Sequence, residues 1–132
     1  MRFLHLGDLH LGKSLGNFDL IEDQKYILAQ ILAVIRDRSV DAVLIAGDVY
    51  DKAIPSEAAT NLLDYFLCRL SETGVKTFLI SGNHDSDDRL NYGSQLFYTN
   101  QIYISSVYRG TLEKYTVEDE LGEVDVYLLP FV

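Results

Sequence analysis

Three short polar clusters carry residue types that hold divalent cations: Asp8-Leu9-His10-Leu11-Gly12, Gly47-Asp48-Val49-Tyr50-Asp51 and Gly82-Asn83-His84-Asp85. Carboxylate, imidazole and amide oxygen together suit Mn²⁺, Fe²⁺ or Zn²⁺ rather than a metal that prefers thiolates. The one-residue gap in Asp8-x-His10 lets both side chains point the same way from an extended backbone. Gly47 and Gly82 precede the key residues and permit tight turns and close backbone approach. Asp48 lies between the other two clusters in the chain and is placed to bridge two ions. Two ions about 3.5–4 Å apart are the usual apparatus for cleaving a phosphate ester.

These clusters need a frame, and the hydrophobic pattern supplies one. Arg2 to Leu6 reads as a strand. Leu20, Ile27, Leu28, Ile31, Leu32 and Ile35 recur at helical spacing, so an amphipathic helix is expected over about 19–37. Asp41 to Ala46 is a continuous apolar run, the mark of a strand buried on both faces. Pro55-Ser56-Glu57 is a helix-start signal with Ser56 as N-cap, Leu62, Leu63, Phe66, Leu67 and Leu70 form the buried stripe, and Gly74 ends the helix. Val75 to Ile80 is the next strand, and a weaker helix is expected from about Asp88 to Tyr98, with Asp87 and Asp88 as its starting acids. This β-α-β-α-β-α order argues for a parallel sheet with right-handed crossovers. After residue 100 the texture changes to short strands, Ile102–Val107, Thr111–Val117 and Val124–Leu129. Glu118-Asp-Glu-Leu-Gly-Glu123 is the hairpin turn, with Gly122 in it. In such sheets the carboxyl ends of the strands line the ligand crevice. The order of elements therefore brings Asp8, His10, Asp48, Asn83 and His84 to one rim.

Composition narrows the function classes. The chain has 132 residues, 48% hydrophobic and 23% charged, enough to bury a core and too apolar for disorder. Its longest uncharged apolar runs are about 7 residues, a third of a membrane span. One cysteine, Cys68, excludes an internal disulfide framework, reads as a small buried hydrophobe and fits a reducing cytoplasm. The formal charge of −9 makes a poor stand-alone binder of a phosphate backbone. Bound divalent ions and a partner would have to supply positive charge. The chain stops directly after an apolar strand, at Pro130-Phe131-Val132, which suggests a piece of a longer protein.

The three clusters in this order, each after a buried strand, resemble the calcineurin-like metallophosphoesterase superfamily. Leu4-His5-x-x-Asp8-Leu9-His10-Leu11-Gly12, Gly47-Asp48-Val49-Tyr50-Asp51 with Pro55-Ser56, and Gly82-Asn83-His84-Asp85-Ser86 are most similar to its Mre-type DNA-repair nucleases. The resemblance covers essentially all of residues 1–132, as the N-terminal part of a nuclease domain whose C-terminal part is absent. It implies an α/β metallophosphoesterase fold, a parallel βαβαβ start followed by antiparallel strands. It also implies two divalent ions, Mn²⁺ foremost: Asp8 and His10 on the first, Asp48 bridging both, and Asn83 on the second. His84 would face the scissile phosphate and Asp85 would orient His84. Asp51 and His5 would stand behind the ligands, His5 as a core or near-site histidine. The implied partners are DNA, an SMC-like ATPase, and a second copy paired through helices near residues 62–70 and 90–97. Gly7 stands where the family more often has a hydroxyl residue. All three histidines, His5, His10 and His84, lie before residue 85, whereas the family completes its site with histidines further on.

Other readings compete. The chain could act on nucleotides or phosphoproteins within the same superfamily, or serve as a non-catalytic module for dimerisation or partner binding. Tyr65, Phe66, Leu90, Tyr92, Leu96 and Phe97 exceed the apolar need of two surface helices; core packing is the default for them and a dimer surface the alternative. Lys13, near the rim, is either an ordinary exposed lysine or a phosphate contact.

Overall fold

The computed structural model describes residues 1–86, 90 and 100–132. Four strands, β1 (Phe3–Leu6), β4 (Ala42–Ala46), β5 (Lys76–Ile80) and β6 (Ile102–Ser105), form one sheet in the order β1-β4-β5-β6, every neighbouring pair parallel. A small antiparallel hairpin, β2 (Ser14–Leu15) and β3 (Phe18–Asp19), follows β1. Two 17-residue helices, α1 (Ile21–Asp37) and α2 (Glu57–Thr73), make the crossovers from β1 to β4 and from β4 to β5. An antiparallel hairpin of β7 (Glu113–Asp119) and β8 (Gly122–Leu128) ends the fold.

Alternation along the strands explains the layering. Leu4, Leu6, Val43, Ile45, Leu79 and Ile104 point to one side of the sheet, where α1 and α2 contribute Leu28, Leu32, Ile35, Leu62, Leu63, Phe66, Leu67 and Leu70. Phe3, Ala42, Leu44, Phe78, Ile80 and Tyr103 point to the other side and meet Tyr115, Val117, Val126 and Leu128 of the β7–β8 hairpin. Phe78 and Tyr103 stack there with ring centroids 5.3 Å apart, and Tyr115 lies 4.3 Å from Tyr103. Both faces are covered, which is why Ala42–Ala46 carries no polar residue. The fourth parallel strand is β6, so the antiparallel part begins one strand later than the change of texture after residue 100.

The helix boundaries follow their local chemistry. Ser56 takes an extended conformation, φ −66° and ψ 161°, and its Oγ accepts the Ala59 N–H at 3.1 Å. Gly74 closes α2 in the left-handed region at φ 74°. The β7–β8 turn is tighter than the expected 118–123: only Glu120 and Leu121 lie between the strands, and Gly122, at φ 141°, opens β8 opposite Asp119.

Three expectations need correction. Cys68 is exposed, because the core face of α2 is set by Leu63, Phe66, Leu67 and Leu70 and position 68 falls on the opposite side. Ile27 is 52% exposed and lies outside the narrower stripe that α1 buries. His5 is exposed on β1, an edge strand, on the hairpin side of the sheet, and is not a core histidine. Of the residues weighed as a dimer surface, Phe66 and Leu90 are core and Tyr65 is half-buried between Lys25 and Arg69, which lie 5.8 and 5.4 Å from its ring centroid. Tyr92, Leu96 and Phe97, the acids Asp87 and Asp88, and all of the helix expected over 88–98 except Leu90 fall outside the described residues. Among the described residues no helix is long and apolar enough to cross a membrane.

Replacing the α2 cap, Ser56→Ala, leaves the Ala59 N–H without its side-chain acceptor and should cost about 1 kcal/mol. In thermal unfolding that should appear as a fall of about 4 °C; an unchanged midpoint would show that water replaces the cap without cost.

Candidate metal centre

Strand register brings the three clusters to one end of the sheet. Leu6 pairs with Ile45, Ala46 with Ile80 and Ile80 with Ser105, so β1, β4 and β5 end level with one another. The first two chain segments turn sharply as they leave their strands. Asp8, His10 and Asp48 sit at φ 53°, 44° and 49°, and Gly47 at φ 80°. Asp and His tolerate this left-handed region better than most residues, yet each such position costs about 1–3 kcal/mol and survives only where its surroundings hold it.

The surroundings here are the other loops. The His10 N–H donates to the Asp48 carbonyl at 2.9 Å and the Leu11 N–H to the Val49 carbonyl at 2.8 Å; the Asp51 N–H returns to the Leu11 carbonyl at 3.1 Å. These bonds run the first loop alongside the second, like a continuation of the β1–β4 ladder. Gly47 and Gly82 meet back to back: a Cβ on Gly47 would stand 2.9 Å from the Gly82 Cα. A Cβ on Gly82 would collide with the Asp48 carboxylate and backbone nitrogen. Both glycines are therefore required by close approach, as their positions in the motifs suggest.

Side chains converge on Asp48. The His84 Nδ1 lies 3.1 Å from Asp48 Oδ2, and the His84 backbone N–H donates to Asp48 Oδ1 at 3.1 Å. His10 Nε2 is 4.0 Å from Asp48 Oδ2 and 3.6 Å from Asp8 Oδ1. The two imidazoles meet edge to face at 5.4 Å. Burial alone would push the Asp48 carboxyl up, but the hydrogen bonds and positive character of His84, with a smaller contribution from His10, hold it below its ordinary value. One donor atom each from His10, Asp48 and His84 falls within 4.8 Å of the others, a spacing that a single cation can span.

Two further observations fit a cation. Asn83 lies against the same carboxylate. Its amide nitrogen donates to Oδ1 and Oδ2 at 3.2 and 3.3 Å, which seats the amide on the carboxylate that a cation would share. His10 Nδ1 is buried and, among the described residues, makes no hydrogen bond; Asp51 Oδ1 lies 3.5 Å from it, too long for a well-formed bond. A cation on Nε2 would draw positive charge into the ring and strengthen that contact. The residues present thus match a divalent ion held by imidazole and carboxylate.

The structure thus brings together Asp8, His10, Asp48, Asn83 and His84, and places Asp51 behind His10. It corrects the role of Asp85. Asp85 Oδ2 accepts the N–H groups of Gly82 at 2.8 Å and Val49 at 3.2 Å, and Oδ1 accepts that of Tyr50 at 2.9 Å. Two of these bonds tie the third loop to the second and the Gly82 bond closes the third loop on itself, while the imidazole of His84 leans on Asp48. His5 is exposed on β1, with no hydrogen bond or ion pair to the cluster among the described residues, and Lys13 is exposed beside the first loop. Sequence reasoning missed Gln24, which bonds the backbone of the first loop. Its only signal was its place in the first turn of the helix that follows.

Space at the glycines differs sharply. Gly7 lies outside the left-handed region, and a Cβ there would meet only the Ala46 carbonyl at 3.9 Å, so the hydroxyl residue more common in the family would fit. Gly7→Ser should change stability by less than about 0.5 kcal/mol. Gly82→Ala should cost about 1–3 kcal/mol by overpacking against Asp48. Urea unfolding of both variants checks the pair, and equal effects would contradict the described closeness of Gly82 and Asp48.

Comparison with known proteins bears on the same residues. The family model described as calcineurin-like phosphoesterase matches residues 1–130. The SbcD component of the SbcCD nuclease of Staphylococcus epidermidis is 43% identical over 132 residues, covering 99% of this chain and 34% of the relative. The protein of the same name from Staphylococcus saprophyticus subsp. saprophyticus is 38% identical over the same 99% and 34%. The chain therefore spans about a third of the length of these curated relatives. Because the family match takes in all three strand-end loops and the sheet that aligns them, the chain belongs to the calcineurin-like phosphoesterase family.

Proposed function

We propose that these residues form part of the metal centre of a DNA phosphodiesterase, a nuclease component of the SbcD kind that works with an SbcC-like SMC ATPase in DNA repair in the cytoplasm. The observation that carries the reading is the convergence of the proposed ligands at the strand ends: His10 Nε2 lies 3.6 Å from Asp8 Oδ1 and 4.0 Å from Asp48 Oδ2, with the Asn83 amide against the same carboxylate. The nuclease names of the staphylococcal relatives support DNA over nucleotides or phosphoproteins. In this reading Asp8 and His10 would hold one ion, Asp48 would be shared by two, and Asn83 would hold the second. When bound, two divalent ions, Mn²⁺ foremost, supply an activated water and neutralise charge on the phosphate.

The remaining work falls to the chain itself. Hydrolysis adds water across a P–O bond, and the departing sugar oxygen needs a proton. His84 is half-exposed and anchored through Nδ1 to Asp48, so its ring stands at the mouth of the site where that oxygen leaves. Asp51, 3.5 Å from His10 Nδ1, favours the tautomer that turns Nε2 toward the ion. Asp85 keeps the His84 loop seated on the Asp48 loop through its bonds to the Val49 and Tyr50 N–H groups, and its bond to Gly82 closes the His84 loop on itself. The formal charge of −9 disfavours DNA by itself. Two divalent ions offset part of it, and the ATPase is the further source of positive surface.

Asp8, His10, Asp48 and Asn83 are four donors for two ions, so the 132 residues alone are expected to bind Mn²⁺ weakly and to cleave DNA slowly. Asp48→Asn should abolish Mn²⁺ binding in titration calorimetry, while Asp51→Asn should weaken it about 10–100-fold. Undiminished binding by Asp48→Asn would contradict the bridging role.

His84→Gln should keep Mn²⁺ affinity and lower kcat for cleavage of single- and double-stranded DNA, since its proposed role is in the transition state. A matching loss of Mn²⁺ would make His84 a ligand, and preferential cleavage of a phosphopeptide or nucleotide would move the substrate class.

A further inference from the structure

We infer that Gln24 is the positioning residue of the metal centre: its single amide grips the backbone on both sides of His10 and thereby fixes where the Asp8 and His10 side chains point. The inference rests on the metal reading above and adds to it a residue outside the three motifs. Gln24 Oε1 accepts the Gly12 N–H at 2.9 Å, and Nε2 donates to the His10 carbonyl at 2.9 Å and, more weakly, to the Leu9 carbonyl at 3.3 Å. Its partners settle which way the amide faces, since an N–H meets its oxygen and two carbonyls meet its nitrogen.

The placement follows from helix geometry. Gln24 lies in the first turn of α1, where its own N–H donates to the Leu20 carbonyl at 2.8 Å. Side chains on a helix lean toward its N-terminus, so a long side chain in the first turn covers the segment just before the helix. That segment is the loop from β1. The opposite edge of the loop is already bonded to the second cluster, His10 N–H to the Asp48 carbonyl and Leu11 N–H to the Val49 carbonyl. Gln24 supplies the other edge, and the loop is clamped from two sides.

A clamp is needed because Asp8 at φ 53° and His10 at φ 44° sit in a region the backbone leaves when it can. Few side chains serve. The site needs one acceptor and one donor at the end of a two-methylene arm: glutamate would set charge against two carbonyls, lysine would leave the Gly12 N–H unpaired, and asparagine is a methylene short. Relaxation of either strained residue would part the Asp8 oxygen from His10 Nε2, now 3.6 Å apart, or draw Nε2 from Asp48, now 4.0 Å away.

The test uses Gln24→Met, which keeps the volume and loses all three bonds, and Gln24→Asn, which keeps the chemistry and loses the reach. Leu28→Ala, which hollows the core one turn further along α1, is the structural control. Amide hydrogen exchange on metal-free protein reads the loop without any ion, and Mn²⁺ titration reads the centre. Both Gln24 variants should speed exchange at Gly12 about tenfold and weaken Mn²⁺ binding about 10–100-fold, the usual effect of residues that orient ligands. Leu28→Ala should lower the unfolding midpoint and leave both readouts unmoved. Should Gln24→Met fail to fold, Gln24→Asn carries the test. Unchanged exchange at Gly12, or faster exchange with Mn²⁺ affinity intact, overturns the inference while the metal reading stands. Absence of Mn²⁺ binding by the unsubstituted chain overturns the metal reading and the inference with it.

Discussion

Asp48 has to keep a negative charge inside a pocket that leaves its side chain only 15% exposed, with two imidazoles and a glycine backbone pressed around it. Desolvation works against that charge; the His84 backbone N–H and ring, with His10 beyond, work for it and prevail. Much else at the strand ends follows from meeting this requirement. Gly82 has no side chain because the Asp48 carboxylate occupies the place a Cβ would take. Gly47 turns the chain so that Asp48 arrives there, and Asp85 gives its own carboxylate to three backbone amides so that the His84 loop stays against Asp48.

Rigidity of this kind is costly, and the fold shows where the cost is met. Asp8, His10 and Asp48 all sit at positive φ. At about 1–3 kcal/mol each, their combined strain is a sizeable share of the roughly 5–15 kcal/mol that stabilises an ordinary domain. What offsets it is a sheet buried on both faces, by α1 and α2 on one side and by the β7–β8 hairpin on the other. The three strands end in register, so the three loops start from a common line. Cross-bonds between the first and second loops and between the second and third then hold the angles.

Much of this is legible in the chain. The apolar run Ala42–Ala46 announces a strand covered on both faces. Ser56 and Gly74 mark the ends of α2, and Gly-Asp and Gly-Asn-His after buried strands mark the rim. These signals are local and come from residues whose chemistry leaves few alternatives. The hairpin of Ser14–Leu15 and Phe18–Asp19 escapes notice because two-residue strands have no periodicity to read. Cys68 and Ile27 are misread because a composition rule and a spacing rule cannot say which side of a helix its neighbours will cover. Adjacency in sequence points Asp85 at His84, whereas its partners come from Gly82 and from residues more than 30 positions earlier. Such roles are set by tertiary contacts, and no motif spacing encodes them.

The claim at the centre of this account is that the strand ends present a cation site built on Asp48. Crystals grown with Mn²⁺ and measured at the manganese absorption edge address it directly. The account requires an anomalous peak among Asp48, His10 and Asp8, with Asn83 and His84 around it. A peak elsewhere on the molecule, or ordered side chains with only water between His10 and Asp48, would contradict it.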